Sequence, residues 1–355
     1  MQSQNIKIHR DETLWEVEVQ ADIPADVLTS YRSHALKEIT RTAKVDGFRE
    51  GKAPENLILQ RVGETAVLRE AAELAVKHEL PEILAQEKLP IVDTPRVTTS
   101  QPETGKDLHI TARAPLAPEI TLPDYKKIAA NVNGDKREES VSDKEHSETL
   151  LHFRRERVRI EHVESGLTPE EAAQKAKDVP EQELPILDDT FVKPFGYENI
   201  GAFESAVREN LLKEKELRAQ QERRAKILDE ISKKATVKYP IALKEYELDD
   251  MEARLSADLE SMGATFEKYL ADTKKTREVV RKEWESAADS RAKTRLILAE
   301  IARIETLEPD VHAIDHELKH AQKHYPKANP EVLRANIFHS LRNEKVIEFL
   351  EGQQS

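Results

Sequence analysis

Apolar and polar positions alternate along two stretches near the N-terminus, residues 6–8 and 15–19, with charged residues 10–12 between them. A period of two is typical of β-strands, so these stretches predict a hairpin with one buried face and one wet face. The same alternation returns at residues 92–99 and 108–114 and predicts two further strands.

Between these two pairs of strands the apolar positions recur every three to four residues, which is the period of an α-helix. Pro24 opens one such run, and Pro54 opens another that extends to about Leu80. Two long helices packed on an antiparallel sheet predict an α+β domain, which we expect to span residues 1–122.

The middle of the chain has a different character. Residues 115–128 contain three prolines and predict an extended connector, whereas residues 131–183 are polar and rich in charge. Within them, residues 143–163 predict one helix whose arginines we expect to form a solvated face balanced by Glu156 and Glu161. The alternative is a contact with ribosomal RNA. These arginines are Arg154, Arg155, Arg157 and Arg159.

Helical spacing dominates the chain from residue 185 onward. Apolar stripes between residues 251 and 350 predict a series of helices separated by prolines. We therefore expect a mainly α-helical domain at residues 185–355, joined to the N-terminal domain by a linker at residues 123–184.

The composition favours long, exposed helices over one compact globule. Charged residues make up 35% of the 355 residues, against about 25% in typical proteins. The net charge of -13 argues against a protein that coats DNA, and the absence of cysteine excludes a disulfide framework. The sequence has no apolar run long enough for a signal or a membrane span, so we expect a cytoplasmic protein without a membrane partner.

The sequence carries no motif that points to catalysis or to a cofactor, such as a Gly-rich phosphate loop or His-Glu-x-x-His. Four histidines do stand four residues apart in a predicted helix, opposite its apolar stripe, and histidines at this spacing can chelate a metal ion. Without cysteines or a closed ligand set we expect no purposeful metal site, and metal binding by these histidines stays open. They are His312, His316, His320 and His324.

The most informative stretch is the loop between the two N-terminal helices, residues 47–54, which reads GFREGKAP. Glycines flank Phe48 and Arg49 at a tip where burial in the chain's own core is not expected. Such a pair is a good anchor on the surface of another molecule, because the ring offers area and the guanidinium offers a fork of hydrogen bonds. The alternative is that Phe48 folds back and caps its own helix pair.

The pattern Gly-Phe-Arg-x-Gly-Lys-x-Pro between two long helices resembles the ribosome-docking signature of the trigger factor family of bacterial chaperones. Residues 183–189, followed by Phe191 and Phe195-Gly196, are similar to the entry to that family's C-terminal chaperone domain. The resemblance implies a ribosome-binding domain at residues 1–122 and a helical chaperone domain with arm-like helices. It also implies docking on the large ribosomal subunit beside the exit tunnel, through Gly47, Phe48, Arg49, Gly51, Lys52 and Pro54.

One residue of this signature departs from the family pattern. The family has a lysine after the Phe-Arg pair, whereas this chain has Glu50, which reverses the charge. At a solvated rim such a change costs about 0.2–1 kcal/mol. Docking is therefore expected to be weaker, unless Lys52 replaces the missing cation.

The family usually carries a prolyl isomerase domain of the FK506-binding type in the middle of the chain. Such a fold needs on the order of 80–100 residues and a core of its own. Residues 126–190 contain one aromatic residue, Phe153, and two glycines. We therefore expect this domain to be absent and the protein not to be an enzyme. The chain also stops soon after its last predicted helix, which predicts a shortened C-terminal tail.

The resemblance implies an ATP-independent chaperone that shields nascent and unfolded polypeptides through several weak apolar contacts. Its client-binding residues are expected on the arm helices, although the same residues could instead pack these helices together. Alternative functions are a holdase or assembly chaperone that works free of the ribosome, where a homodimer is possible, a residual isomerase, and a coiled-coil scaffold. The candidate client-binding residues are Met251, Leu259, Met262 and Phe266.

Overall fold

The computed structural model describes residues 3–43, 48–49, 52, 54–135, 139–326 and 328–354. Two short 3-10 helices, Glu181–Glu183 and Lys193–Phe195, occur among the other elements. In chain order these elements are β1 (Gln4–Asp11), β2 (Glu16–Ile23), α1 (Ala25–Thr42), α2 (Glu55–Val62), α3 (Glu64–Gln86), β3 (Arg96–Thr99), β4 (Leu108–Pro115), β5 (Glu119–Thr121), α4 (Tyr125–Gly134), α5 (Asp143–Glu164), α6 (Pro169–Asp178), α7 (Asp189–Val192), α8 (Ile200–Lys234), β6 (Thr236–Lys238), α9 (Ile241–Ser261), α10 (Phe266–Thr273), α11 (Arg277–Ile304), α12 (Val311–His324) and α13 (Pro330–Glu351).

The chain divides into two compact units, each made of two separate stretches. Unit 1 contains Met1–Leu122 and Ala235–Ile304, and unit 2 contains Pro123–Lys234 and Glu305–Ser355. The functional domains expected from the sequence follow the chain without interruption, so they are a different division and remain a prediction.

The core of unit 1 lies between an antiparallel sheet, with strand order β1-β2-β4-β3, and helices α1 and α3. Alternate residues of β2 and β4 point into this core, as the period of two predicted. Val17 and Ile23 of β2 are fully buried, as are Ala35 of α1 and Ala75 of α3. Each fully buried Val or Ile side chain stabilises the fold by about 1.5–3 kcal/mol. The predicted α+β N-terminal fold and helical C-terminal region are thereby confirmed.

The second long helix of the N-terminal pair is interrupted, which the sequence did not predict. Helix α2 ends at Val62, and α3 begins at Glu64 after Gly63, whose φ of 80° lies in the left-handed region. That conformation costs a residue with a Cβ atom roughly 1 kcal/mol or more, and glycine avoids the cost. The helix also continues through Pro81 to Gln86, because the burial of Ile83 favours this last turn.

The predicted extended connector at residues 115–128 is shorter than expected. Residues 119–121 form β5, which pairs with β6 much later in the chain. Helix α4 then begins at Tyr125, because the Asp124 carboxylate accepts a hydrogen bond from the backbone N–H of Lys127 and caps the helix.

Helices build unit 2. Ser142 caps α5 in a reciprocal capping box with Glu145, so the predicted helix at residues 143–163 is confirmed to within one residue. The last helix, α13, is held at its C-terminal end by Asn133 of α4. Its side-chain amide donates hydrogen bonds to the carbonyls of Leu350, Glu351 and Gln353.

Helix length and hydropathy were also compared with what a bilayer requires. Within the described residues, no helix combines enough length with enough apolar character to cross a membrane.

Candidate functional site

The loop between α1 and α2 exposes the aromatic-cationic pair singled out in the sequence. Phe48 retains 43% of its accessible surface, and Arg49, Lys52 and Pro54 are also exposed. The backbone N–H of Lys52 donates a hydrogen bond to the carbonyl of Arg49 over 2.9 Å, so the chain turns at this point. Gly47, Glu50 and Gly51 lie outside the described residues.

A well-packed base supports this tip. Pro54 precedes α2, and its carbonyl accepts hydrogen bonds from the backbone N–H groups of Leu57 and Ile58. Ile58 is fully buried, and Ile39 and Ala43 at the end of α1 pack on the same core. The last turn of α1 and the first turn of α2 are therefore fixed to the domain, and the exposed side chains start from a rigid support.

An ion pair joins α1 to the start of α3 just below the tip. The Arg32 guanidinium donates two hydrogen bonds to the carboxylate of Glu64, over 2.6 and 2.7 Å. The hydrogen bonds from Arg32 lower the pKa of Glu64 below its ordinary value. This bidentate pair fixes the direction in which α1 meets α3.

The exposure of Phe48 bears on the two interpretations of the loop. A ring that capped its own helix pair would be largely covered, whereas 43% of this ring faces solvent. An exposed ring next to an exposed guanidinium can bury apolar area and donate several hydrogen bonds when a partner covers them.

The second candidate surface is the end of the arm formed by α9, α10 and α11. Met262 lies in the turn between α9 and α10 and is 80% exposed. Gly263, with φ of 75°, and a hydrogen bond from the N–H of Ala264 to the carbonyl of Leu259 form this turn. Phe266 opens α10 and stacks on Tyr269, with ring centres 6.1 Å apart.

The remaining candidate client-binding residues are only half-buried. Met251 and Leu259 in α9 and Phe266 in α10 all keep part of their surface in solvent. Among the described residues, residues 249–279 contain no buried side chain at all. The alternative, in which these residues pack the arm helices together, therefore accounts for only part of their surface.

Ion pairs between α9 and α11, which the sequence analysis did not identify, hold the arm together. Arg291 and Arg295 of α11 both lie 3.1 Å from the carboxylate of Glu247, which is only 1% exposed. The four-residue spacing of these arginines was the signal that could have revealed them. Arg281 of α11 contacts three further carboxylates of α9, those of Glu245 at 2.8 Å, Asp249 at 2.7 Å and Glu252 at 3.2 Å.

The arginine cluster of α5 serves mainly local contacts. Arg157 pairs with Glu161, and Arg159 pairs with Glu156, as the interpretation of a balanced face predicted. For Arg154 that interpretation is wrong. Its guanidinium donates hydrogen bonds to the backbone carbonyls of Glu181, Leu184 and Pro185, because the segment after α6 folds back along α5.

The histidines of α12 are exposed, as their spacing opposite Ile314 predicted, and Ile314 itself is buried. Val311 belonged to the predicted apolar stripe, but it is 57% exposed because it lies in the first turn of the helix. In the described part of the chain, no group of three or more His, Asp or Glu side chains is arranged to hold a metal ion.

Comparison with protein families gives matches to both halves of the chain. The family model described as "Bacterial trigger factor protein (TF)" matches residues 4–152. The family model described as "Bacterial trigger factor protein (TF) C-terminus" matches residues 199–351. Together they cover the tip loop, the arm and α12, and residues 153–198 lie between them.

Curated relatives match most of the chain. The trigger factor of Listeria welshimeri is 23% identical over 377 residues, which cover 86% of this chain and 87% of the relative. The trigger factor of Halalkalibacterium halodurans is 23% identical over 397 residues, which cover 89% of this chain and 91% of the relative.

A solved structure described as "Promiscuous Substrate Recognition in Folding and Assembly Activities of the Trigger Factor Chaperone" has a similar fold. It matches with a TM-score of 0.55 and 13% sequence identity, over 98% of this chain and 99% of that chain. At this level of identity the likeness is one of fold.

Proposed function

The chain belongs to the bacterial trigger factor family, and from that premise we propose that it is an ATP-independent chaperone that docks beside the ribosomal exit tunnel. There it shields newly made, unfolded polypeptides in the cytoplasm. One observation carries the docking part of this proposal, namely that Phe48 is 43% exposed above a base fixed by the fully buried Ile58. A side chain held out in this way has no role in its own core and is available to a partner.

Photo-crosslinking tests the docking contact directly. A photoreactive amino acid at position 48 is expected to crosslink to a protein of the large ribosomal subunit. The same amino acid at position 92 is the control, because Val92 is an apolar residue of the same unit with 55% exposure. Equal crosslinking from both positions, or none from position 48, would contradict docking through this loop.

The arm end supports the shielding part of the proposal. Its half-exposed apolar residues, Met251, Leu259, Met262 and Phe266, offer several small contacts in place of one deep pocket. Many weak contacts allow varied unfolded segments to bind and to leave by themselves, so release needs no nucleotide hydrolysis. Client release measured in the presence and absence of ATP should proceed at the same rate.

We also propose that the protein lacks prolyl isomerase activity. Among the described residues, 139–198 form helices and turns and contain no strand, whereas the isomerase domain of the family is built on a twisted sheet. A proline-limited refolding assay tests this point, and the expected result is an unchanged rate constant when the protein is added in catalytic amounts. A rate that rises in proportion to catalyst concentration would contradict it.

Glu50 favours a second candidate function, a holdase or assembly chaperone that works free of the ribosome, where a homodimer is an option. The residue reverses the charge expected at the third docking position. Restoring the cation with Glu50→Lys should tighten ribosome binding several-fold if docking is weakened by this residue. Recovery of the protein only in the ribosome-free fractions of a gradient, for both Glu50 and Glu50→Lys, would favour the second candidate.

A further inference from the structure

The histidines of α12 play no part in the proposed function. His312, His316, His320 and His324 are four residues apart, and all are exposed. Side chains four residues apart lie one above the other on the same face of a helix. Ile314 is buried on the other side of α12 and keeps this face turned toward solvent. The helix thus presents imidazoles in a row without competition from its own core.

One pair in this row already has the separation that a shared metal ion requires. The ring centres of His316 and His320 are 4.9 Å apart. A tetrahedral ion bound about 2.1 Å from each nitrogen holds two imidazole ring centres roughly 5 Å apart. Binding therefore needs only small side-chain rotations, and little conformational entropy is lost.

A neighbouring carboxylate distinguishes His316 from the other histidines. Glu317 places a carboxylate oxygen 3.3 Å from Nδ1 of His316. A histidine that donates its Nδ1–H to a carboxylate keeps the lone pair of Nε2 for a metal and becomes a stronger ligand. The carboxylate also reduces the electrostatic cost of bringing a divalent cation to this face, where Lys319 and Lys323 are exposed as well.

We propose that His316 and His320 form a surface chelate for a divalent transition-metal ion of the Zn²⁺, Ni²⁺ or Cu²⁺ class. Imidazole nitrogen is a preferred ligand for these ions. Water completes the coordination sphere, so the site is open. The bound ion links two adjacent turns of α12 and thereby stabilises this helix.

Calorimetric titration of the full chain with ZnCl₂, and separately with NiCl₂, tests the proposal. The expected result is saturable binding that EDTA reverses. Because changes in the second coordination shell already cost about 10–100-fold in affinity, loss of a ligand in His316→Asn or His320→Asn should weaken binding at least tenfold. All four histidines are exposed, so the variants are expected to fold.

The outer histidines provide matched controls on the same helix. His312→Asn and His324→Asn should bind the ion with nearly unchanged affinity. The proposal is overturned if the full chain takes up neither ion at micromolar concentration. It is equally overturned if the outer variants lose as much affinity as the inner ones. Neither result depends on ribosome docking or client binding, so the proposed function is tested separately.

Discussion

Phe48 and Ile58 lie close together in the sequence and have opposite environments. Ile58 is fully buried beneath the tip, whereas Phe48 keeps 43% of its surface in solvent. A buried aliphatic side chain stabilises the fold, and an exposed ring does not. The difference allows stability and binding to be separated by substitution.

We expect Ile58→Ala to lower the free energy of unfolding by about 2–5 kcal/mol, because it leaves a cavity in a packed core. Phe48→Ala should change that free energy by less than about 0.5 kcal/mol, as is usual for exposed positions. Urea denaturation of the two variants measures both values. A loss in Phe48→Ala comparable to that in Ile58→Ala would show that the ring packs on its own domain.

Met262 is the clearest single-residue test of the arm end, because 80% of its surface is exposed. Met262→Ser should leave folding unchanged and weaken binding of an unfolded apolar polypeptide by roughly two- to fivefold, since single contacts of this kind contribute at most about 1 kcal/mol. Fluorescence anisotropy with a labelled unfolded client measures the change. Val332→Ser is the control at another exposed apolar position, and an equal effect there would remove the special role of Met262.

Individual helices and strands could be predicted wherever their signal is local. The hairpin, α1 and α5 follow from periodicity and end signals that lie within a few residues of each other. Helix α6 was missed although Thr168 and Glu171 form a capping box ahead of it. The break at Gly63 was missed because a glycine inside a periodic run is compatible with a continuous helix and with two helices.

Helix α5 should respond to acid through its capping box. Glu145 accepts hydrogen bonds from Lys215, Ser142 and the Ser142 backbone, and these lower its pKa from 4.5 to about 2. Because the folded-state pKa is the lower one, its stabilising effect is complete above pH 4.5 and is lost as the pH falls toward 2. Hydrogen exchange at the start of α5 should therefore accelerate over this range.

Glu145→Gln should speed exchange at pH 7 and remove the acid response of this turn. Glu148→Gln is the control, because Glu148 lies on the same helix outside the capping box. An acid response that persists in Glu145→Gln would assign it to another group.

The arm depends on ion pairs more than on a buried core. Arg281→Ala removes contacts to three carboxylates of α9, and we expect it to destabilise the arm by roughly 1–2 kcal/mol, as the sum of several partly exposed pairs. Hydrogen exchange should increase in α9 and α10 and stay unchanged in β2 and β4. Arg254→Ala is the control, because its pair with Asp250 lies within α9. Equal protection in both variants would contradict the role of Arg281.

For the molecule as a whole, the sequence could predict an α+β part followed by a helical part, but it could not predict the two compact units. Residues 235–304 belong to unit 1 through the pairing of β6 with β5. Strand β6 has only three residues, Thr236–Lys238, which is too short for a periodic signal, and its partner lies far away in the chain. Long-range pairings of this kind are set by tertiary packing.

The candidate site was predictable to the same extent. The tip residues follow from a local motif, so Phe48 and Arg49 could be named from the sequence. The support from Ile58 and the pair between Arg32 and Glu64 could not, because they depend on how α1, α2 and α3 pack. The same holds for the carboxylates that hold the arm, whose partners lie on another helix.

Quantitative cosedimentation of the full chain with ribosomes tests the central claim most directly. Phe48→Ala and Arg49→Ala should each weaken ribosome binding at least about tenfold, as expected for anchor residues, with folding unchanged. Val92→Ala and Lys37→Ala, exposed controls of the same unit, should bind as tightly as the unchanged chain. Undiminished binding of the Phe48→Ala and Arg49→Ala variants would contradict the account.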